Sequence, residues 1–240
     1  MIAVSTSRQG FTLIELVIVI VIIGIIGTVA VREMIGSIDD ARFEQTRHEM
    51  EQLAFAICGN PDVRTHGARS DFGYVGDVGA LPPTLAALST NPGHATWDGP
   101  YIDPNGSLTD AWGIPYTYTG STIRSTGSGS AIDRAFATAA ADLLNNTVSG
   151  FVTDAERRPP GSAFRDSVAV VLRYPNGTGG VAAATINPSA EGSFSFSGIP
   201  VGNHHLLVIY LPASDTTAYT VNVPPGSAVR LDLMLPADLW

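Results

Sequence analysis

The sequence predicts an α+β protein in three successive parts. A long N-terminal helix begins as a membrane-spanning segment, a small mixed α+β head packs on its upper half, and an all-β sandwich follows. Three observations carry this. Residues 10–31 form an almost uncharged run of membrane length. Apolar residues then recur at helical spacing as far as Cys58. From about Val148 the chain changes to short alternating segments separated by Gly, Pro, Asn and Asp.

The apolar run comes first. At the helical rise of ~1.5 Å, the residues from Phe11 to Val31 cover about 31 Å, close to the hydrocarbon thickness of a bilayer. One carboxylate, Glu15, stands inside it. A charged residue within such a run costs roughly 2.5–3.5 kcal/mol on insertion, so an acid there needs a partner. The run holds no Lys, Arg or His, and the partner must come from outside the helix. A cleaved secretory signal would have a shorter apolar core with a small-residue cleavage site after it, whereas here the polar junction precedes the run. The charges before the run are the amino terminus and Arg8, which favours a single pass with a cytoplasmic N-terminus.

Gly10, Phe11 and Glu15, set in the box GFTLIE ahead of apolar residues, resemble the class III signal of type IV pilins and type II secretion pseudopilins. The resemblance implies that residues 1–10 are a leader removed by a prepilin peptidase after Gly10, with N-methylation of the new terminus, Phe11. It also supplies the missing partner. Cleavage creates an α-ammonium at Phe11, and a neighbouring subunit's amine can pair with Glu15 where either charge alone would be costly.

Beyond Val31 the helix is expected to continue to Cys58, roughly 70 Å in all. Ile35, Ile38, Met50, Leu53, Ala54 and Ile57 fall at spacings of one face, and Gly59-Asn60-Pro61 supplies a stop. Gly24, Gly27 and Gly36 are places where the helix could bend. The single Cys58 excludes an intrachain disulfide and reads as a packed thiol. With 45% hydrophobic and 15% charged residues the rest is globular, and a net charge of −9 argues against nucleic-acid binding.

Residues 59–146 form the head. Gly, Pro and turn signals dominate, with a helical candidate at Pro83–Leu88 and strands around Gly99–Ile102 and Pro115–Thr119; the alanine-rich stretch from Ala131 to Asn146 reads as a helix. LPPTLAALSTNP, WDGPYID and DAWGIPYTY are similar to the globular part of major pseudopilins, with Asp98 as an insertion-like departure and Ala111 where proline is usual. The resemblance implies a calcium-holding loop after these motifs. That stretch here, IRSTGSGS, has Ser128 in place of the expected aspartate. That departure counts against calcium, which is nevertheless the one candidate cofactor, with Ser125 and Asp142 as its candidate ligands out of the six to eight oxygens the ion takes. Asp98, Asp103 and Asp110 read as solvated loop carboxylates that cap turns.

The sandwich spans residues 147–240. Strands are expected at Val148–Thr153, Ser167–Arg173, Val181–Ile186, Ser193–Phe196, His204–Leu211, Ala218–Val223 and Ala228–Leu235. Gly150, Val152 and Asp154, with the GSFSFSGIPVG stretch from Gly192 to Gly202, resemble the carboxypeptidase regulatory-like, transthyretin-like sandwich family. That domain is an accessory module, so the resemblance carries no active site. His204 and His205 are adjacent on a strand and point to opposite faces, as solvated or rim residues that share no metal. No nucleophile elbow or catalytic constellation is recognisable.

These readings imply a structural subunit that polymerises through its N-terminal helix into a type IV pilus-like or type II secretion pseudopilus filament. Its partners would be copies of itself, a prepilin peptidase and inner-membrane assembly machinery. It would reside in the bacterial inner membrane before assembly and in a periplasmic or cell-surface filament afterwards. The alternative is a low-copy minor pilin or adhesin whose sandwich binds a surface, a glycan or a secreted cargo. A membrane-anchored hydrolase is a third class, disfavoured because no nucleophile and base converge.

Overall fold

A computed structural model describes residues 10, 12–106, 108–236 and 238–240 of the chain. They divide into two compact units, Met1–Gln45 and Thr46–Trp240. Helix α1 runs from Leu13 to Cys58. Before Thr46 every described residue on it is exposed, from Leu13 at 83% to Phe43 at 38% among the large apolar side chains. Ile35 and Ile38 therefore stay uncovered, although their spacing matches that of Met50, Leu53, Ala54 and Ile57, which are buried.

In the second unit the last turns of α1 carry the head, and Met50, Leu53 and Ile57 pack against Tyr74, Val78, Leu88, Ile123 and Leu143. The helix ends where the Gly-Asn-Pro signal predicts. Arg69 then satisfies the otherwise orphaned terminal carbonyls of Cys58 and Gly59. After α1 come a two-residue ladder of β1 (Arg64–Thr65) and β2 (Ala68–Arg69), helix α2 (Gly73–Val78) and a 3₁₀ turn at Leu85–Leu88. A three-stranded antiparallel sheet of β3 (Thr117–Thr119), β4 (Thr122–Ser125) and β5 (Ile132–Ala135) follows, and helix α3 (Ala140–Leu144) closes the head.

Two expectations are corrected here, and one helix is added. Gly99–Ile102 is not a strand: Pro100 has no N–H for a ladder, and the Tyr101 amide turns back to the Leu88 carbonyl (2.8 Å). The alanine-rich stretch is not one helix, since Ile132–Ala135 pairs with β4 and only Ala140–Leu144 is helical. Alanine's helix preference amounts to a few tenths of a kcal/mol per residue, and the ladder outweighs it, helped by the Arg124–Asp133 pair directly opposite at 2.6 Å. Helix α2 carries no helical signal in its GYVGDV sequence and forms because Tyr74, Val75 and Val78 are buried.

The remainder is a seven-stranded sandwich. The strands are β6 (Asn146–Thr153), β7 (Val168–Pro175), β8 (Val181–Ile186), β9 (Ser193–Ile199), β10 (Gly202–Tyr210), β11 (Asp215–Val223) and β12 (Ala228–Met234), with a short helix α4 (Gly161–Phe164) between β6 and β7. One sheet has the order β11-β10-β7-β8, all antiparallel. In the other, β12 lies parallel and β9 antiparallel to the central β6. Inward residues alternate strictly: Val148, Val152, Phe194, Phe196 and Leu233 face Val170, Leu172, Leu206, Val208 and Val221. Gly150 on β6 has no room for a side chain, because a Cβ there would lie 1.8 Å from the Leu231 carbonyl oxygen.

Head and sandwich share one unit. Val201, in the turn between β9 and β10, is fully buried in the head's core, and its amide donates to the Leu143 carbonyl at 2.9 Å. Around it, the Gly177 amide donates to Val78, Ala95 to Gly179 and Gly226 to Asp142, at 2.8–2.9 Å. The Asn222 side chain donates to the Arg69 carbonyl at 2.6 Å. Gly79, with φ +78°, closes α2 so tightly against Pro175 that a Cβ would lie 2.3 Å from its carbonyl oxygen.

Candidate functional site

The first candidate is the exposed length of α1. Thr12 precedes the helix, and its hydroxyl accepts a hydrogen bond from the Glu15 amide at 3.3 Å, which is half of a capping box with Glu15 at the third helical position. The sequence Thr-x-x-Glu carried that signal, and the reading of Glu15 as an unpartnered acid passed over it. An acid in the first turn is also favoured by the helix dipole. Gly10 is exposed, and among the described residues nothing would crowd a side chain there. Phe11, the other predicted processing and assembly residue, and the leader before Gly10 lie outside the described residues. Along the run the Thr28 hydroxyl donates to the Gly24 and Ile25 carbonyls at 2.9 and 2.8 Å, so the one polar side chain after Glu15 is satisfied within the helix. An 18-residue window of this helix has mean hydropathy 3.0, and none of it is covered by the other described residues. A helix apolar on all sides requires lipid or neighbouring helices around it.

The second candidate is the head loop. Asp110 is 4% exposed, and its carboxylate is fully engaged. Oδ1 accepts the Trp112 and Ile114 amides at 3.0 and 2.9 Å; Oδ2 accepts the Ser125 hydroxyl at 2.6 Å and the Gly127 amide at 3.0 Å. Burial pushes this acid up, but the four donors outweigh it and hold the carboxyl below its ordinary range. Asp110 caps turns as expected, yet as a buried hub rather than a solvated residue. Asp103 caps its turn at the surface through the Asn105 amide at 2.9 Å. Nearby, the Tyr101 hydroxyl donates to Asp77 at 2.7 Å, and the Trp97 indole donates to the Ala87 carbonyl at 3.0 Å.

The candidate calcium ligands have other engagements. Ser125 is buried and spends its hydroxyl on Asp110. Asp142 accepts the Ala139 amide at 3.0 Å at the start of α3, while its carbonyl takes the Gly226 amide. No polar contact joins the two, and among the described residues no cluster of three or more His, Cys, Asp or Glu could hold a metal. A cation that takes six to eight oxygens would have to draw on main-chain carbonyls besides these two side chains.

His204 corrects another expectation. It does face away from exposed His205, but it is 2% exposed and bonded through Nε2 to the Pro200 carbonyl at 2.7 Å, not solvated. Burial lowers its pKa. Cys58 is buried as expected, its thiol donating to the Ala54 carbonyl at 3.1 Å and pushed up by burial. Asp154, fully buried at the end of β6, accepts the Glu156 and Arg158 amides and the Arg158 side chain.

Comparison with known proteins places these features. The family model for the prokaryotic N-terminal methylation motif matches residues 5–31, and that for type II secretion system protein G matches residues 73–133. The type II secretion system core protein G of Xanthomonas campestris is 32% identical over 128 residues, which cover 53% of this chain and 76% of that protein. The chain belongs to the type II secretion core protein G family. This is a family of structural pseudopilins, not enzymes. In this protein G relative the matched head residues include the Asp110 hub, Trp97 and Tyr101, while the sandwich begins beyond the matched span. Partial likenesses to solved structures include the TIE protein of Bacillus anthracis and BcpA, the major pilin subunit of Bacillus cereus. The first is 13% identical, covers 38% of this chain and 16% of that one, and has a TM-score of 0.31. The second is 12% identical, covers 52% and 42%, and has a TM-score of 0.27.

Proposed function

We propose that this protein G relative is a pilin-type filament subunit, in a type II secretion pseudopilus or a type IV pilus-like fibre, in which Glu15 pairs with the N-terminal amine of a neighbouring subunit. The observation that carries the reading is the uncovered apolar helix with one acid in its first turn. A prepilin peptidase cuts between Gly10 and Phe11 and methylates the new terminus. Before assembly the helix crosses the inner membrane once with its N-terminus in the cytoplasm; afterwards the apolar run lies among neighbouring helices, and the filament stands in the periplasm or at the cell surface. The assembly machinery of the membrane extracts each subunit, a step helped when the acid is neutralised by its partner. The sandwich resembles the carboxypeptidase regulatory-like family and adds a surface that the matched head lacks. The head loop closes through Asp110 without a calcium ion.

Two substitutions test this. Glu15→Gln keeps the Thr12 cap and the apolar helix but removes the charge, and sheared filaments should then be absent while the head remains folded. Filaments at wild-type yield from that variant would overturn the pairing. Gly10→Val should leave an unprocessed precursor by mass spectrometry of membranes; a mature chain beginning at Phe11 would show that cleavage has another determinant.

A further inference from the structure

A cleft of about 580 Å³ lies where the head meets the sandwich, within the range of small-ligand sites. The head contributes Asp77, Asp98 and Trp97 to its wall, and the sandwich contributes Arg173, Tyr174 and His205. Neither part makes this cleft alone. Its position is fixed by the Ala95–Gly179 backbone hydrogen bond and by Val201 in the head's core, so the walls are preorganised.

The chemistry of the wall is divided by side. Arg173 and His205 are directly opposite in the β7–β10 register, so both side chains stand on one sheet face, and Asn203 follows on the same face two residues away. These groups supply hydrogen-bond donors. Across the cleft, the two carboxylates supply acceptors, and the Thr96 hydroxyl, also in the lining, is buried without a hydrogen-bond partner among the described residues. Trp97 adds apolar ring surface, whereas Tyr174, one residue after Arg173 on β7, turns to the other sheet face, where its ring meets that of His204.

We infer that this cleft binds a neutral saccharide. Sugar hydroxyls donate to carboxylates and accept from guanidinium, imidazole and amide groups, while a C–H face of the ring can lie on Trp97. Two carboxylates against one guanidinium disfavour phosphates and uronates. β7 and β10 are interior strands of their sheet, so the floor offers side chains rather than an open backbone edge on which a peptide strand could pair. The inference is independent of filament assembly, since every residue named lies outside α1.

The test is saturation-transfer NMR on the full chain in lauryldimethylamine oxide micelles, which avoid sugar-headed detergents. The probes are cello-, xylo-, galacto- and N-acetylchito-oligosaccharides, with oligogalacturonate as the anionic control. At least one neutral series should receive saturation. Its affinity should fall at least tenfold in Asp98→Ala and in Arg173→Ala, both exposed residues whose loss leaves near-UV circular dichroism unchanged. Ser189→Ala, at the opposite end of the sandwich, should bind as wild type. Absence of transfer to every neutral probe, stronger binding of oligogalacturonate, or indifference to both cleft substitutions overturns the inference.

Discussion

Replacing Asp110 by alanine removes the acceptor of four hydrogen bonds and leaves the Trp112, Ile114 and Gly127 amides and the Ser125 hydroxyl without their partner. Hydrogen bonds to a charged group contribute about 1.5–3 kcal/mol each, but losses within one network do not add, because the loop relaxes and water enters. A net cost of about 3–5 kcal/mol follows, a large part of the 5–15 kcal/mol typical of a folded domain. Asp110→Asn should cost less than the alanine change, since its carbonyl can still accept at one oxygen position. Urea unfolding of the full chain in micelles, followed by tryptophan fluorescence, measures this; Trp112 sits two residues from the change. The same titration with EDTA and with millimolar calcium should give one midpoint for the wild type, as the loop is closed by Asp110. A cost below about 1 kcal/mol for Asp110→Ala would refute the hub. A calcium-dependent rise abolished by Ser125→Ala or Asp142→Ala would refute the calcium-free loop.

Further predictions concern the junction and the pH profile. Gly79→Ala should destabilise by about 2 kcal/mol or more, because it combines a strained positive φ with a collision at Pro175; a neutral result in urea unfolding would mean that the head and sandwich can separate there. Val201→Ala, which shortens a side chain of the sandwich buried in the head, should cost about 1–2.5 kcal/mol and lower a single shared transition; two separate transitions would contradict one unit. Acid should act in two stages. His204 has a lowered pKa, so the unfolded chain binds its proton first and stability falls as pH drops below about 6.5. Asp110 and Asp154 are also lowered, so their contribution persists above about 4 and is lost below it. His204→Gln should flatten the upper stage alone, measured as urea midpoints from pH 7 to pH 3.

The β-sandwich was legible because its strands satisfy a local rule. Val181–Ile186 has the expected bounds, and Val229, Leu231, Leu233 and Leu235 alternate inward as written in the sequence. The helix was equally plain, since its stop lies in three consecutive residues after Cys58. What failed was decided by tertiary contacts. β5 wins over alanine's helix propensity through Arg124 on the next strand, and α2 exists because Tyr74 finds a core. In the candidate sites, Glu15 announced itself by its apolar surroundings. The burial of His204 and the Asp110 hub did not, because each depends on groups brought from elsewhere: Pro200 for one, Ser125 and Gly127 for the other. The cleft was invisible for the same reason, being made of residues up to 129 positions apart, from Gly76 to His205.

The sandwich is built into the head, and this constrains what it can do in a filament. A module hung on a flexible linker would sample many orientations and could be removed without harm. Here Val201 fills a place in the head's core, and the Gly226 amide takes the Asp142 carbonyl at the start of α3. Loops that the resemblance to major pseudopilins would assign to a calcium ion are thus held by protein groups, on one side the Asp110 carboxylate and on the other the sandwich itself. Any ligand in the junction cleft would bear on both parts at once, and its binding energy would add to the cohesion of the unit.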